Sequence, residues 1–506
     1  MDRRAFIAAA GSAAALELAG CGGGGGGGGT PPPPPPMSGL DWAPLSTGLQ
    51  GNVLLPGSQE FARAAPAFNA IYDAILPQAV VRVASASDVA LTLDFARRNG
   101  LAVTARSGGH GYTGNSTTTG VVIDVGGMTA ITVDAGTATI GAGARLVDIY
   151  DQLCAQGVCI PSGTCPTIGI AGITQGGGIG IVDRAYGLTC DRLVSAQVVL
   201  ADGSIVTCDA DHHPDLFWAL RGGGGGNFGI VTSLTFDTFA TSDVTRFTAD
   251  FAWADAAGVL AAWQAWPRTA PDTLWAGLFL ATTRQAGGPA VEVAGCFIGS
   301  PADFAPIWNA FLAATGATPT GQGVQSQSFR DAMLSSCGGR TVSQCHLAAQ
   351  TPDGSVGRAA FVATSDIFDQ PLSSAGIQAM LSAVEANQST QYVTVIMDLM
   401  GGAIARVAPD ATAFVHRQAL FSAQYYVGLG GSVTQDEVAR SRGVVSALRA
   451  AMAGHSSGEA YQNYLDPELA DWPRAYYGAN YARLVQVKAA YDPQRVFDPA
   501  QGIPPQ

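Results

Sequence analysis

Glycines are concentrated in three separate short segments of this sequence, at 107–114, 169–180 and 222–229. Because glycine has no Cβ, its backbone N–H groups can approach a phosphate closely, and the residue adopts positive φ at little cost. Several such loops can bind one pyrophosphate together. None has the Gly-Lys-Ser/Thr ending of a P-loop, and none is a clear dinucleotide-binding G-x-G-x-x-G. The alternative interpretation is a set of tight turns in a packed fold.

Two nucleophilic side chains lie in or beside these segments. His110 ends the run Ser107-Gly108-Gly109-His110, and Cys165 stands in the sequence Gly-Thr-Cys-Pro-Thr. Imidazole and thiol groups form covalent bonds to electrophilic centres, so both residues are candidates for attachment to a bound group. The alternatives are a loop histidine held by hydrogen bonds, and a cysteine that forms a disulfide or stays a buried thiol.

Four motifs, in chain order, resemble those of one branch of the vanillyl-alcohol-oxidase, or PCMH-type, FAD proteins: the berberine bridge enzyme-like branch. Residues 106–112 resemble its flavin-attachment loop, and residues 163–178 resemble its second attachment loop. Residues 216–229 and the aromatic tail at 461–497 are similar to the same branch. The resemblance extends from about residue 77 to the end of the chain.

The resemblance implies FAD held by two covalent bonds, an 8α-histidyl bond through His110 and a 6-S-cysteinyl bond through Cys165. Two bonds would fix the ring rigidly and make the flavin more oxidising. The resemblance also implies further cofactor contacts, which come from the two attachment loops, the third glycine segment and the tail: Arg106, Ser107, Gly108, Gly109, Gly111, Gly114, Gly169, Gly172, Gly176, Gly177, Gly178, Gly229, Ile230, Asn463 and Tyr464.

Hydride transfer from an alcohol or amine to flavin N5 requires removal of a proton from the same group, and a tyrosine with a lowered pKa can accept it. Tyr461 and Tyr464 lie where the family places such tyrosines, and we favour Tyr464. Gln424 lies on a predicted strand where related enzymes place a substrate-facing polar residue, in some of them a glutamate base. Glutamine cannot act as a base. Alternatively, the tyrosines are core aromatics.

Two isoleucines bear on specificity. Ile168 follows the cysteinyl site, where a small residue is typical of oxidases in this family and a bulky one hinders oxygen. We therefore expect slow reaction with dioxygen and use of another acceptor. The alternative is that Ile168 only packs in the protein core and has no effect on the reaction with oxygen. Ile173 stands where many members have a histidine, so the resemblance says little about the polarity of the substrate.

The pattern predicts an α+β fold: a two-subdomain PCMH-type FAD-binding lobe at 38–243, and a substrate lobe at 244–455 with an antiparallel sheet and flanking helices. A C-terminal segment, 456–506, is expected to return to the FAD lobe. Local signals predict a helix capped by Ser87, a hairpin turning at 201–204, and helices at 260–266 and 434–452, the last with Thr434 at its N-cap.

The first residues predict export. Arg3-Arg4 and an apolar stretch indicate a twin-arginine signal over 1–21, and Leu-Ala-Gly before Cys21 indicates cleavage there and a lipid on Cys21. An ordinary export signal with an incidental Cys21 is the alternative. The Gly- and Pro-rich residues 22–37 are typical of a linker. The mature protein is therefore expected in the periplasm or on an extracellular face, where disulfides form. Cys337 and Cys345 flank a loop that a disulfide would close.

Of the 506 residues, 47% are hydrophobic and the formal net charge is −13. An acidic surface argues against nucleic acid as a partner, and membrane contact is expected only through the lipid. No metal site is predicted.

We predict an FAD oxidoreductase that acts on a sugar, aromatic or secondary alcohol, or amine, with dioxygen or another acceptor. One alternative is a membrane-anchored dehydrogenase. The other is a binding protein without redox activity, and the presence of both His110 and Cys165 argues against it.

Overall fold

The computed structural model describes residues 39–282, 289–388, 392–430 and 433–506. The predicted export signal, Cys21 and the linker at 22–37 lie outside these residues. Helices and strands are mixed throughout, which confirms the predicted α+β fold class. No helix of the described residues has the length and apolar character needed to cross a membrane, and no cluster of metal-ligating side chains occurs among them.

A four-stranded sheet ends in the first glycine segment. Its strands are β1 Asn52–Leu54, β2 Ala79–Arg82, β3 Val103–Arg106 and β4 Val121–Asp124, in the order β1-β2-β4-β3. Strands β2, β4 and β3 are parallel, and β1 is antiparallel to β2. The apolar residues of β2 and β4 are fully buried, as is typical of parallel strands. Because β3 ends at Arg106, residues 107–110 leave the carboxyl edge of this sheet.

An antiparallel sheet follows, with β5 Ile131–Asp134, β6 Thr137–Gly141, β8 Leu193–Val199, β9 Ile205–Cys208 and β10 Ile230–Asp237. Its order is β5-β6-β10-β8-β9. Strands β8 and β9 form the predicted hairpin. A small ribbon pairs β7 Val158–Cys159 with β11 Phe239–Ala240.

A seven-stranded antiparallel sheet forms the second large layer. Its strands are β12 Asp243–Phe251, β13 Leu274–Ala281, β14 Ala290–Phe297, β15 Gly321–Ser328, β16 Phe361–Phe368, β17 Tyr392–Leu399 and β18 Phe421–Gly428. The order is β15-β12-β14-β13-β17-β18-β16. Successive side chains alternate between the two faces of a strand. On one face Phe247 stacks with Phe304 and also contacts Trp308, both from a covering helix. The other face is turned towards the glycine segments.

Fifteen α-helices occur among the described residues. In chain order they are α1 Ala43–Gly48, α2 Gln59–Ala64, α3 Ala86–Arg98, α4 Leu146–Cys154, α5 Ile170–Gln175, α6 Asp183–Tyr186, α7 Pro214–Ala219, α8 Ala256–Trp263, α9 Trp266–Thr269, α10 Pro301–Thr315, α11 Phe329–Leu334, α12 Ser374–Glu385, α13 Gln435–Ala451, α14 Trp472–Tyr477 and α15 Tyr481–Tyr491.

Of the helix ends predicted from local sequence signals, some are correct and some are wrong. Thr434 caps α13 and accepts a hydrogen bond from the Glu437 amide, as predicted. The cap of α3 was wrongly placed at Ser87: Ser85 caps this helix, because its hydroxyl reaches the Asp88 amide at 3.2 Å. A helix occurs where one was predicted at 260–266, but its bounds were wrong: α8 ends at Trp263, and a separate helix, α9, begins at Trp266. Pro267 supplies the first turn of α9, a position that suits its missing N–H.

Cys337 and Cys345 form a disulfide, as the loop between them suggested. Cys154, Cys159, Cys190, Cys208 and Cys296 are free.

The C-terminal tail is anchored by a buried ion pair. The Nζ of Lys488 in α15 donates to an Asp492 carboxylate oxygen and to the carbonyls of Asn227 and Phe497, each at 2.6 Å. Neither charged side chain is exposed. Since Asn227 belongs to the third glycine segment, this network joins the tail to that segment.

Removal of one partner of this pair should be strongly destabilising, because the other charge stays buried without compensation. We expect Lys488→Met to lower the free energy of unfolding by about 3–5 kcal/mol, measured by denaturant titration. Arg97→Ala, which breaks an exposed ion pair with Asp94, is the control and should cost less than about 1 kcal/mol. Equal effects of the two substitutions would contradict a structural role for Lys488.

Candidate functional site

A cavity of about 300 Å³ lies where the glycine segments, the open face of the seven-stranded sheet and the tail meet. Most of the residues predicted from the sequence line it. They are Ser107, Gly108, Gly109, His110, Gly111, Cys165, Ile168, Gly169, Gly172, Gly229, Ile230, Gln424, Tyr461, Asn463 and Tyr464. Residues far apart in the sequence are therefore brought together around one space.

The two predicted attachment loops touch through their backbones. A Cβ at Gly108 would collide with the amide nitrogen of Gly169, and a Cβ at Gly169 would collide with the Ser107 hydroxyl. The Ser107 hydroxyl donates to the Ala142 carbonyl at 2.6 Å. Only glycine permits this approach, which places His110 and Cys165 on neighbouring parts of the cavity wall.

Five of the predicted contacts do not line the cavity but belong to the loops that form its wall. They are Arg106, Gly114, Gly176, Gly177 and Gly178.

Arg106 is buried, and its guanidinium donates to the carbonyls of Ser116 at 2.7 Å, Ala65 at 2.9 Å and Ala64. The role of Arg106 in this structure is therefore to hold the loop that carries His110. A Cβ at Gly114 would lie 2.8 Å from the Tyr72 ring.

The environment of His110 favours a neutral imidazole. Its ring stacks on Phe68 with centroids 3.8 Å apart, and its Nε2 lies 2.9 Å from the Thr167 hydroxyl oxygen. Burial, with a smaller contribution from the positive charge of Arg145, lowers the pKa of His110 to about 3. A neutral ring keeps a nitrogen lone pair, which a nucleophile needs. Phe68 and Thr167 were not identified from the sequence, because neither belongs to a recognisable motif.

Cys165 also lines the cavity. A bond from Cys165 to a cofactor requires the reduced thiol.

The tail enters the site through Tyr461 and Asn463. The Tyr461 hydroxyl accepts hydrogen bonds from the Gly178 amide and the Asn463 amide group, both at 2.8 Å. A Cβ at Gly176 would collide with Asn463. The second glycine segment therefore leaves room for the tail as well as for the cavity.

The structure does not supply the lowered pKa that a tyrosine base requires. Burial raises the pKa values of Tyr461 and Tyr464 above the ordinary tyrosine value. It also raises that of Tyr112, whose hydroxyl accepts a hydrogen bond from Gln424 at 2.8 Å. Tyr464 stacks on Tyr112 with centroids 5.4 Å apart. Burial therefore opposes a lowered tyrosine pKa here, and the tyrosine base stays a prediction. The Gln424 side chain orients Tyr112 through its hydrogen bond.

A carboxylate that the sequence analysis missed is a further candidate proton acceptor. Asp398, on β17, lines the cavity and is 8% exposed. Burial raises its pKa to about 7, so it can both hold and release a proton near neutral pH. The signal was present: Asp398 is the one acidic residue of the otherwise apolar run Val-Ile-Met-Asp-Leu.

Strand periodicity explains how the sheet presents this group. Ile396 and Asp398 are two residues apart on β17 and both line the cavity, as do Trp275 and Phe279 on β13. Gly277 is paired with Asp398, and its lack of a side chain makes room for the rings of Phe279 and Trp275. The sheet thus combines one carboxylate with aromatic and aliphatic surface.

The residues of this cavity fit FAD. Glycines from three segments, including Gly224, Gly225 and Gly226, expose backbone where a dinucleotide must approach closely. A buried side-chain oxygen of Gln175, at the wall, has no hydrogen-bond partner among the described residues. The paired nucleophiles His110 and Cys165 stand beside an apolar space large enough for part of a ring system.

Comparisons with known proteins agree with this assignment. The model of the FAD binding domain family matches residues 77–209, and the model named berberine and berberine like matches residues 460–504. The chain is 34% identical over 438 residues to an uncharacterized FAD-linked oxidoreductase, YgaK, of Bacillus subtilis, covering 85% of this chain and 91% of that protein.

Two further relatives extend the comparison. Chitooligosaccharide oxidase of Gibberella zeae is 29% identical over 482 residues, covering 89% of this chain and 91% of the oxidase. The solved structure of BBE-like 1 of Physcomitrella patens superposes with a TM-score of 0.84 at 29% identity, covering 92% of this chain and 100% of that one.

Proposed function

Because the chain belongs to the berberine bridge enzyme-like, PCMH-type family of FAD-dependent oxidoreductases, we propose that it oxidises a CH–OH group by hydride transfer to a covalently held FAD. The observation that carries the proposal is the position of His110, Cys165 and Asp398 on the wall of one cavity. His110 and Cys165 would hold the flavin at its 8α and 6 positions. Asp398 would accept the proton of the substrate hydroxyl.

The residues of the chain have separate tasks in this reaction. Bound FAD would supply the hydride acceptor. Asp398 in its ionised form accepts the hydroxyl proton, which leaves the carbon ready to release hydride. Gln424 orients the Tyr112 hydroxyl through a hydrogen bond at the cavity wall.

A sugar or aromatic alcohol is the substrate class that the cavity favours. Trp275, Phe279 and Phe361 provide flat apolar surface, while Gln424 and Asp398 provide hydrogen-bonding groups. The similarity to chitooligosaccharide oxidase supports a carbohydrate. An amine remains the alternative donor, since hydride transfer from CH–NH has the same requirements.

The electron acceptor is a second question, and Ile168 bears on it. This branched side chain lines the cavity three positions after Cys165. It would hinder dioxygen at the flavin, so we propose that a carrier other than oxygen is used. A dehydrogenase at a membrane would suit the export signal and the lipid on Cys21 that the sequence predicts, and we propose that location.

Intact mass measurement tests the attachment. We expect the purified, acid-denatured protein to be heavier than the polypeptide by one FAD and to stay yellow. His110→Ala and Cys165→Ala should each keep the colour through the other bond, and the double variant should lose it. A colourless pellet with the bare polypeptide mass would exclude covalent FAD and favour a binding protein. The same spectrum tests the location, because a lipid-modified mature chain would begin at Cys21.

The pH dependence of turnover tests Asp398. Because burial raises its pKa to about 7, the base is ionised only above that pH, so kcat/KM should fall as the pH drops through about 7. Asp398→Asn should lower kcat by about 10²–10⁴-fold without loss of flavin. Asp250→Asn, on the same sheet but outside the cavity, is the control. Full activity of Asp398→Asn would assign the proton transfer to another group.

Comparison of acceptors tests Ile168. We expect Ile168→Ala to accelerate flavin reoxidation by dioxygen at least about tenfold, which corresponds to roughly 1.4 kcal/mol of barrier, and to change turnover with an artificial dye little. Ile173→Ala, which enlarges the same cavity elsewhere, should leave oxygen reactivity unchanged. Fast oxygen turnover by the unmodified protein would identify an oxidase and refute the obstruction by Ile168.

A further inference from the structure

Residues 335–356, which lie between β15 and β16, contain a disulfide, and we call them the disulfide segment. Two of its side chains reach the loop at 164–168. The Ser336 hydroxyl and the Gln350 side-chain amide each donate to a backbone carbonyl of that loop, at 2.9 and 3.0 Å. The loop carries Cys165 and forms part of the cavity wall. The position of this part of the wall therefore depends on the disulfide segment.

Helix α4 contacts both the loop and the disulfide segment. The amides of Leu146 and Val147, at its start, donate to carbonyls of the loop at 3.0 and 3.1 Å. The Val147 side chain belongs to the same buried apolar cluster as the disulfide. Arg330, which precedes the segment, donates to a carboxylate oxygen of Asp151 on α4 at 2.9 Å. The helix is thus the surface against which the segment packs.

His346 joins the segment to this helix through a contact that fixes its protonation. Its side chain is 4% exposed. Its Nδ1 lies 2.9 Å from the Val342 carbonyl oxygen, and its Nε2 lies 2.9 Å from a carboxylate oxygen of Asp148. A carbonyl and an ionised carboxylate can only accept hydrogen bonds. Both ring nitrogens must therefore donate, which requires the imidazolium form.

The pair of His346 and Asp148 needs this extra proton wherever the proton resides. If the carboxyl group held it, the carboxyl would donate to Nε2, and the number of protons in the pair would be the same. Loss of the proton to solvent leaves the Nε2 lone pair facing a carboxylate. Neutral His346 then keeps its bond to Val342 and loses the one to Asp148, so the contact between segment and helix depends on pH.

We propose that His346 and Asp148 form a pH-sensitive latch, which holds the disulfide segment on α4 while the pair keeps its proton. Histidine side chains change charge between about pH 5 and 8. A cation that gains a partner on folding contributes stability at low pH, and the contribution is lost as the pH rises. The latch is therefore closed in mildly acidic solution and open in alkaline solution.

Opening of the latch affects the cavity through the loop at 164–168. When the disulfide segment leaves α4, Ser336 and Gln350 leave the loop carbonyls that they hold. This part of the cavity wall then becomes less ordered. The inference does not depend on the bond between FAD and the protein.

Other charged groups on α4 and on the elements packed against the disulfide segment keep their charge between pH 6 and 9, because they are carboxylates and guanidinium groups. They are Arg82, Arg145, Asp151, Arg330, Arg340 and Asp353. Cys154, at the end of α4, is different: the pKa of its thiol is lowered, chiefly by its interaction with Cys159. Cys154→Ser removes this second titrating group and is therefore the parent for the test.

The test measures how fast a water-soluble phosphine reduces the disulfide of Cys337 and Cys345 in the full-length protein. Cys337 is 3% exposed and Cys345 is 0% exposed, so the reductant needs the segment to open. Each rate is divided by that of a small reference disulfide in the same solution, which cancels the pH dependence of the reagent. We expect the parent to be reduced at least about tenfold faster at pH 9 than at pH 6, the effect of losing a hydrogen bond to a charged group.

Three variants of this parent separate the latch from general stability. His346→Ala should be reduced fast at both pH values. Asp148→Asn should be reduced slowly at both, because its amide can donate to the Nε2 of a neutral ring and no extra proton is needed. Asp151→Asn breaks the neighbouring ion pair with Arg330 and is the matched control: it should speed reduction equally at both pH values and keep the tenfold ratio.

Hydrogen exchange tests the effect on the cavity wall. After correction for intrinsic rates, the amides of Leu146 and Val147 should exchange faster at pH 9 than at pH 6 in the parent, but not in Asp148→Asn. Equal protection at both pH values would refute the coupling to the loop.

Three outcomes would overturn the latch: a parental ratio near one, a tenfold ratio retained by His346→Ala or by Asp148→Asn, or loss of the ratio in Asp151→Asn. Circular dichroism at both pH values checks that each variant is folded. If His346→Ala does not fold, the ratio in Asp148→Asn decides.

Discussion

The contact between the backbones at Gly108 and Gly169 is the constraint on which the site depends. One loop leaves the parallel sheet at Arg106, and the other precedes α5, yet no side chain separates them. Any Cβ at either glycine would push the loops apart. Because His110 and Cys165 follow and precede these glycines in their loops, the contact sets the spacing of the two nucleophiles. It also explains why the glycines are clustered in the sequence.

Burial then determines the chemistry of the groups that the loops and the sheet present. A low-dielectric cavity disfavours charge, which lowers the pKa of His110 and raises that of Asp398. The same physical effect favours a neutral imidazole in one place and a carboxylate that titrates near neutral pH in another. It also raises the pKa values of Tyr112, Tyr461 and Tyr464, so these aromatics are suited to shape the cavity and to hold hydrogen bonds.

Distant parts of the chain complete the cavity, and polar contacts formed on folding hold them there. The tail is fixed through Lys488, and the segment after β15 is fixed through its disulfide and His346. The tail reaches the third glycine segment, and the segment after β15 reaches the loop that carries Cys165. Such preorganisation places the energetic cost of ordering in the folding of the protein, so less of that cost remains when FAD binds.

The sequence alone determined the glycine segments, the two nucleophiles, the family resemblance and the α+β class, because each is written in local residue types and spacings. It also located Gln424, Tyr461 and Tyr464 at the cavity. It did not reveal the buried Asp398 at the cavity, Thr167 as the partner of His110, or Phe68 beneath the ring. Those placements arise from burial and from contacts across more than forty positions of the chain, which no local pattern records. Tertiary structure decided them, since burial and a pKa depend on what surrounds a group in space.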